Sequence, residues 1–231
     1  MTEQYPMRRR IAILGGTGKE GKGLAYRWAK AGHRIIIGSR YIEKALIAAN
    51  SIKALLDRPT DIVGMLNPQA AEQGEVIVLT VPYTFHKEML EELKGPLHGK
   101  ILIDVTVPLV PPRVTRVQMP PEGSAAQEAK KILGEEVQVV AAFQNISYEH
   151  LLHEEEIECD VLVCGGDKPS RGIVIQLVQD AGLVGWDAGP IENAVVVEGM
   201  TSILIGINKQ FGVSSAGIRI TGVKDRKDLC H

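Results

Sequence analysis

Short apolar runs alternate with longer amphipathic stretches along the first two thirds of the chain. The apolar runs predict β-strands over residues 10–15, 34–38, 61–65, 76–81, 100–105 and 137–142. The amphipathic stretches predict helices over residues 20–31, 42–57, 68–72, 85–93 and 124–133. Strands and helices that alternate in this way form right-handed βαβ units. The pattern therefore predicts an α/β fold with a doubly wound parallel sheet.

The pattern changes beyond about residue 143. Two more strands are predicted over residues 161–164 and 183–186, with a helix over residues 170–181 between them. A long apolar helix is predicted over residues 192–210. Such a helix needs cover, so we expect it to be largely buried, either under the rest of the chain or under a second subunit. We therefore expect a homodimer.

The change of pattern also indicates two units, residues 1–142 and a smaller α/β portion at residues 143–231. Between residues 107 and 123 the chain is rich in proline, which excludes an interior strand or helix there. This segment follows the fifth predicted strand, at the sheet edge where ligands bind in such folds. We interpret it as the rim or lid of a pocket, and a structural connector is the alternative.

A glycine-rich turn joins the first strand to the first helix. It has the pattern G-x-G-x-x-G, and its residues are Gly16, Thr17, Gly18, Lys19, Glu20 and Gly21. In this motif the first glycine permits a tight turn, the second lets the backbone approach a pyrophosphate, and the third lets the helix pack close to the strand. The phosphates then lie on free N–H groups at the helix N-terminus. The turn predicts a dinucleotide site in a Rossmann-like domain, and a purely structural turn is the alternative.

The end of the second predicted strand indicates which dinucleotide is bound. An NAD site usually has Asp or Glu here to accept hydrogen bonds from the ribose 2′-hydroxyl. This chain has Ser39 and Arg40, followed by Lys44. Two cations and a hydroxyl suit a 2′-phosphate. These residues predict NADP, and the alternative is an ordinary helix N-cap with solvated charges.

Composition limits the remaining classes of function. Of the 231 residues, 45% are hydrophobic and 23% are charged, which is typical of a soluble globular protein. The formal net charge of −2 argues against nucleic acid or an anionic membrane as the main partner. We see no signal peptide and no apolar run long enough to span a bilayer, so we expect a cytoplasmic location.

Cysteine and histidine give no sign of a metal site. Cys159, Cys164 and Cys230 do not form a Cys-x-x-Cys pair, so reduced thiols are expected. The histidines do not cluster in the sequence. Four of them lie in polar stretches and are expected to be exposed, namely His86, His98, His150 and His153.

Further motifs lie outside the glycine turn. They are Thr-Val-Pro at residues 80–82, Pro-Leu-Val-Pro at 108–111, Asp-Val-Leu-Val-Cys-Gly at 160–165, Asp-Ala-Gly-Pro at 187–190, and Asn193. Together with the glycine turn and the Gly-Ser-Arg segment at residues 38–40, these motifs resemble the NADPH-dependent reductases of coenzyme F420, a 5-deazaflavin. The resemblance extends over nearly the whole chain.

The resemblance implies hydride transfer between C4 of the nicotinamide and C5 of the deazaflavin. It implies that NADP is held by residues 17–20, by the Ser39, Arg40 and Lys44 group, and nearer the nicotinamide by Val81, Tyr83 and Val107. It also implies that the deazaflavin lies against residues 143–148. The candidate contacts there are Gln144, Asn145, Ile146 and Tyr148, with the two amides as hydrogen-bond donors; a strand end with capping side chains is the alternative.

The chain departs from the family pattern in the same two places. It has Gln144 and Asn145 where His and Thr are familiar, and Ser147 and Tyr148 where Pro and a small residue are familiar. In the glycine turn, Lys19 and Glu20 replace Asn and Leu. Lys19 can still meet a phosphate. Glu20 is expected to point away from the phosphates or to cap the helix.

Hydride transfer between two rings needs stacking and the exclusion of water, without a nucleophile or a metal. We therefore predict no catalytic side chain beyond those that position the two coenzymes. Two other functions are compatible with the residues. One is an NADPH-dependent reductase of another acceptor, such as a flavin, a ferric chelate or a small imine. The other is a non-enzymatic NADP sensor that acts on a partner through the apolar last helix.

Overall fold

The computed structural model describes residues 7–153 and 156–223. Cys230 and the polar residues 1–6 lie outside the described residues. The strands are β1 (Arg10–Leu14), β2 (Arg34–Ser39), β3 (Ile62–Leu66), β4 (Val76–Leu79), β5 (Ile101–Asp104), β6 (Gln138–Ala141), β7 (Asp160–Gly165) and β8 (Val184–Gly189). The helices are α1 (Lys19–Lys30), α2 (Ile42–Lys53), α3 (Asn67–Gln73), α4 (His86–Leu93), α5 (Ala125–Leu133), α6 (Tyr148–Leu151), α7 (Lys168–Asp180) and α8 (Ala194–Phe211).

The strands form one eight-stranded sheet in the order β3-β2-β1-β4-β5-β6-β7-β8. All neighbouring strands are parallel except β6 and β7. The order reverses direction between β1 and β4, and at such a switch point ligands bind outside the carboxyl ends of the strands. The predicted α/β, Rossmann-like fold is confirmed, including strands and helices in the described residues after residue 143.

The antiparallel direction of β7 was not predicted. After β6 the chain stays on the carboxyl side of the sheet, where α6 packs against α1 at Gly23. The chain therefore enters β7 from the edge at which β6 ended. Only Val140 and Ala141 of β6 pair with β7, opposite Gly165 and Cys164.

Hydrophobic side chains cover both faces of the sheet. On one face, α1, α2 and α7 pack Leu24, Ile52 and Leu177 against the strands. On the other face, α3, α4, α5 and α8 do the same. The strands are therefore apolar on both faces, as expected for buried parallel strands.

Trp28 of α1 links the first face to the segment that follows β6. Its ring meets that of Phe143 edge to face, with centroids 5.7 Å apart. Its indole N–H donates to the Leu177 carbonyl at 2.7 Å. Phe143 is the one non-glycine residue in the described chain with a positive φ, 74°. A bulky residue in this conformation is strained, and the packing against Trp28 offsets that strain.

The rest of the chain covers only one face of the last helix. Val197 and Leu204 of α8 are buried, whereas Val196, Ile203 and Phe211 are 62%, 56% and 68% exposed. The helix therefore covers the sheet with one face and leaves an apolar face in solvent. We call Val196, Ile203 and Phe211 the outer face of α8.

The length of this helix also corrects the expectation that the chain has no apolar run long enough to span a bilayer. Residues Ile191–Phe211 span 21 residues and contain an 18-residue window with a mean hydropathy of 1.2, which is long and apolar enough to cross a membrane. One such helix is weak evidence for a membrane span, since core helices of soluble proteins pass the same test. Here one face of the helix packs on α5, and Glu198 near its middle accepts hydrogen bonds from the α5 backbone.

We predict that Gly23→Ala destabilises the protein, because a Cβ at Gly23 would overlap the Cβ of Leu151 in α6. Overpacking of this kind costs about 1–3 kcal/mol. Alanine gains only about 0.5–1 kcal/mol over glycine in a helix. The free energy of unfolding, measured with denaturant, should therefore fall.

Gly172→Ala is the matched control, since Gly172 lies in α7 with no atom within 4 Å of an added Cβ. This variant should be slightly more stable than the wild type. Equal stabilisation by both substitutions would show that α6 does not pack against α1 as described.

Candidate functional site

A cleft of about 690 Å³ lies at the carboxyl edge of the sheet, at the switch point between β1 and β4. Its size is within the range of small-molecule sites. The walls come from the glycine turn, the ends of β2, β4 and β5, the segment after β6, and one face of α8. Segments far apart in the sequence therefore meet at one place.

The glycine turn has the geometry that the motif requires. The Gly16 N–H donates to the carbonyls of Ile13 and Gly38 at 3.2 and 3.1 Å, and a Cβ there would lie 2.7 Å from the Ile13 oxygen. A Cβ on Gly21 would lie 2.7 Å from the Gly16 Cα. Both glycines shape the turn, while Thr17 and Gly18 line the cleft.

Gly18 differs from the other two glycines. A Cβ there would make only an ordinary contact of 3.7 Å with the Gly15 oxygen. Gly18 is the N-cap of α1 and provides no side-chain hydrogen bond to the helix. Protein packing therefore does not require glycine at this position, which lies at the N-terminus of α1 and lines the cleft. An anion is favoured at such a position.

Glu20 is directed differently from our expectation. It neither caps α1, whose N-cap makes no side-chain hydrogen bond, nor points away, because it lines the cleft. Burial raises the pKa of its carboxyl from 4.5 to about 8. At neutral pH the carboxyl is therefore mostly protonated and adds little negative charge to the cleft.

Two cationic side chains and one hydroxyl form a corner of the cleft at the end of β2. Ser39 is buried, and its Oγ accepts a hydrogen bond from the Tyr41 N–H at 3.2 Å. The Arg40 guanidinium lies over the Phe85 ring at 4.9 Å, and the Lys44 ammonium lies over the Tyr41 ring at 4.9 Å. We call Ser39, Arg40 and Lys44 the cationic corner.

Ser39 does not cap α2, while Arg40 and Lys44 are both exposed, as the alternative of solvated charges expects. The N-cap of α2 is Tyr41, and it makes no side-chain capping hydrogen bond. The aromatic rings instead hold the two cations beside the cleft. Sequence reasoning missed Phe85, which lies in a separate turn and contacts Arg40 only in the folded chain.

Val81, Tyr83 and Val107 lie where β4 and β5 end, and all three line the cleft. Thr80 is held there by a hydrogen bond from its Oγ1 to the Leu14 carbonyl at 3.0 Å. Of the proline-rich segment, Val107 and Leu109 line the cleft. The predicted rim is therefore formed by the first residues of this segment.

Gln144 and Asn145 are buried and use their N–H groups inside the protein. Gln144 Nε2 donates to the Asp104 carbonyl at 2.7 Å, and Asn145 Nδ2 donates to the Asp160 carbonyl at 2.7 Å. Their oxygens, Oε1 and Oδ1, are buried without a hydrogen-bond partner among the described residues. Asn145 Nδ2 also donates to Cys159 Sγ at 3.2 Å, so both of its N–H groups have partners, whereas Gln144 Nε2 keeps one N–H beyond its bond to Asp104. Both residues line the cleft.

Tyr148 contacts the glycine turn across the mouth of the cleft. Lys19 Nζ donates to the Tyr148 hydroxyl at 3.3 Å and lies 4.8 Å from the centre of its ring. Ile146 and Tyr148 both line the cleft, as predicted for this segment. Lys19 and Tyr148 are both departures from the family pattern, and the structure brings these two departures into contact.

His86 was expected to be exposed and is fully buried. Its Nε2 lies 2.7 Å from Asp104 Oδ2 and its Nδ1 lies 3.3 Å from Glu128 Oε2. Nothing in the sequence near His86 indicated this, because its partners lie on β5 and α5. Within residues 7–153 and 156–223, no group of three His, Cys, Asp or Glu side chains is arranged to hold a metal ion.

The sheet, its switch point and the glycine turn define a Rossmann-type nucleotide-binding protein. Residues 10–108 match the family model described as NADP oxidoreductase, coenzyme F420-dependent. The F420-dependent NADP reductase of Methanocaldococcus jannaschii is 40% identical over 223 residues, which cover 93% of this chain and 99% of the relative. That of Methanothermobacter thermautotrophicus is 38% identical over 225 residues, 94% of this chain and 97% of the relative.

This chain therefore belongs to the coenzyme F420-dependent NADP oxidoreductase family. Among solved structures, a protein of Arthrobacter sp. FB24 proposed to be an F420-dependent NADP reductase superposes with a TM-score of 0.76 at 22% identity, over 92% of this chain and 99% of that one. A pyrroline-5-carboxylate reductase of Coxiella burnetii gives 0.57 at 15% identity, over 96% and 74%. These two likenesses establish the fold.

Proposed function

We propose that this protein transfers a hydride between C4 of the nicotinamide of NADP(H) and C5 of the deazaflavin F420. Relatives 38–40% identical over nearly the whole chain are F420-dependent NADP reductases. The observation that carries the proposal is the single cleft, which joins the cationic corner, the glycine turn and residues 144–148. One space of this kind suits two ring systems held side by side.

The NADP half of the proposal rests on charge. Arg40 and Lys44 of the cationic corner would hold the 2′-phosphate together with Ser39, and the amides of residues 17–20 would hold the pyrophosphate. Val81, Tyr83 and Val107 would contact the nicotinamide half. The described chain has no Asp or Glu at the end of β2, where an NAD site would need a carboxylate.

The deazaflavin half rests on the unpaired acceptors. Gln144 Oε1 and Asn145 Oδ1 are buried without a partner among the described residues, which is costly unless a ligand donates to them. The ring edge of a deazaflavin carries N–H groups that can donate. The departures from His and Thr at these positions are therefore compatible with F420, and Ile146 and Tyr148 would add apolar and aromatic contact.

The chemistry follows from positioning. When bound, the deazaflavin accepts or gives two electrons only as a hydride at C5. The side chains would hold the two rings in contact and keep water out, which can account for a large part of the rate. Nothing in the cleft favours a flavin, a ferric chelate, an imine or a sensing role over F420.

We also propose a homodimer in the cytoplasm, in which residues 1–142 hold NADP and residues 143–231 complete the deazaflavin pocket and the subunit interface. The outer face of α8 supports the interface, because three large apolar side chains on one helix are exposed. The proposal commits to a second copy of this chain as the occupant of that face.

The function is tested with purified protein, NADPH and oxidised F420, by following the loss of deazaflavin absorbance. NADPH should reduce F420 rapidly. The reaction should be slow or absent when NADH replaces NADPH as the donor, or when FMN replaces F420 as the acceptor. NADPH binding without F420 reduction would contradict the proposed acceptor and leave the NADP site intact.

Arg40→Ala should weaken NADPH binding and leave NADH binding nearly unchanged. Loss of one charge-assisted hydrogen bond to the 2′-phosphate costs about 1.5–3 kcal/mol. Dissociation constants from the quenching or enhancement of NADPH and NADH fluorescence measure both effects. Equal weakening for the two dinucleotides would show that Arg40 does not contact the 2′-phosphate.

Glu20 should make NADPH affinity fall as the pH rises through about 8. The carboxyl is neutral below that pKa, and above it a carboxylate faces the bound phosphates. If only the neutral form binds, affinity weakens by up to about tenfold from pH 7 to pH 9. The cofactor phosphates do not contribute to this change, since they are ionised above about pH 6.

Glu20→Gln should bind NADPH with little change over this range. Glu43→Gln, at an exposed position of α2 outside the cleft, is the control and should retain the wild-type profile. A wild-type affinity that is constant from pH 7 to pH 9 would contradict the role assigned to Glu20.

Ile203→Asp should convert the dimer to a monomer, because it places a charge in the outer face of α8. Ile47→Asp alters a similarly exposed isoleucine on α2 and should leave the dimer intact. Light scattering measures both masses. A monomeric wild-type protein would contradict the proposed assembly.

A further inference from the structure

A buried group of ionisable side chains lies behind the wall of the cleft formed by the ends of β4 and β5. His86, the first residue of α4, is flanked by Asp104 at 2.7 Å and by Glu128 at 3.3 Å. Each ring nitrogen faces a carboxylate oxygen. An imidazole has two N–H donors only when it is protonated, so an imidazolium can donate to both ionised carboxylates at once, whereas a neutral ring can donate to only one. We call these three residues the His86 cluster.

Asp104 connects the cluster to two walls of the cleft. Its Oδ1 accepts a hydrogen bond from the Thr106 N–H at 3.0 Å, and its carbonyl accepts the 2.7 Å bond from Gln144 Nε2. Thr106 and Gln144 both line the cleft. Since Asp104 is the last residue of β5, its position sets where the chain leaves that strand.

The cluster also lies beside a third wall of the cleft. The Tyr83 and His86 rings are in contact, with centroids 5.9 Å apart. Burial and then the Glu128 charge raise the pKa of Tyr83 to about 12, so the hydroxyl keeps its proton. Tyr83 also lines the cleft.

Other ionisable groups face the cluster. Glu198 of α8 approaches with its carboxyl bound to the N–H groups of Ala125 and Ala126 at 2.7 and 3.0 Å. Burial raises the pKa of Glu198 to about 8, against the effect of these N–H groups. Burial by itself would lower the pKa of His86, but Asp104 and Glu128 outweigh it and the pKa lies above 6.5. The two flanking carboxyls therefore favour the protonated form of the ring.

We propose that His86, as an imidazolium, is a positioning residue for hydride transfer. It holds Asp104 and Glu128 at the same time. Through Asp104 it fixes Thr106 and Gln144 beside the reacting rings, and its own ring packs against that of Tyr83. The inference rests on the proposed function. A buried ion group is rarely a net source of stability compared with apolar packing, so its value lies in the fixed geometry.

The sign of the pH dependence follows. Below the pKa of His86 the ring donates to both carboxylates, and all three walls are held. Above it the neutral ring keeps one N–H, so one carboxylate loses its partner and one wall loosens. Turnover should therefore fall on the alkaline side, while NADPH affinity, set mainly at the cationic corner, should follow Glu20 instead.

Three variants test the contact of His86 with Asp104 and its contact with Glu128 separately. His86→Gln retains an amide N–H near the Nε2 position, toward Asp104. His86→Asn retains one near the Nδ1 position, toward Glu128. His86→Leu removes both. His98→Gln is the control, since His98 is exposed and pairs with Glu136 at the surface.

The measurements are kcat and KM for F420 with saturating NADPH from pH 6 to pH 9, NADPH affinity, melting temperature, and NMR titration of the His86 ring in the wild type. The alkaline decrease in wild-type kcat should coincide with the NMR titration and be absent in the Gln and Asn variants. These two should retain more activity than the Leu variant, whose kcat should fall by about tenfold or more because the rings are misplaced.

Several results would overturn the inference. They are a neutral His86 ring at pH 7, a pH profile of His86→Gln that matches the wild type, or an unchanged kcat in His86→Leu. If the wild type does not reduce F420, the proposed function fails. The NMR titration still tests the premise separately in that case, because a neutral ring at pH 7 cannot donate to both carboxylates.

Discussion

The close approach of α1 to the carboxyl edge of the sheet is the constraint on which the site depends. Gly21 lets the helix reach the glycine turn and Thr80, and Gly23 gives room for α6. Trp28 of the same helix packs against Phe143 and holds the strained backbone that leads into residues 144–148. One helix therefore positions the phosphate-binding turn and the segment opposite it. A bulkier residue at either glycine would move the two walls apart.

The sequence predicted the features that depend on local pattern. The strands follow from apolar runs, and the glycine turn follows from backbone geometry that few other residues permit. The features that the sequence did not predict depend on contacts between distant segments. His86 lies among polar neighbours in the sequence, and only β5 and α5 bury it. Glu20 was expected to point away from the phosphates or to cap the helix, whereas the fold directs it into the cleft.

The same reasoning explains the other differences. Gln144 and Asn145 are amides with donors and acceptors, and only their partners in the fold decide which atoms remain unpaired. The outer face of α8 is apolar in the sequence, but the sequence does not say whether the cover comes from the same chain. The direction of β7 depends on the position of α6, which keeps the chain at the carboxyl edge of the sheet before it enters β7. In each case the sequence shows which residue is present, and only the packing of distant segments shows what that residue contacts.

Helix α8 has a consequence for how affinity and assembly are related. One side of it lines the cleft through Thr201, Leu204 and Asn208, while the outer face meets solvent in the single chain. A contact that shifts the equilibrium position of this helix changes the free energy of ligand binding, and by thermodynamic reciprocity the ligand changes the free energy of that contact by the same amount. In the proposed dimer, subunit association and coenzyme binding are therefore linked equilibria, and a contact that favours the ligand-binding position of the helix makes coenzyme affinity depend on protein concentration.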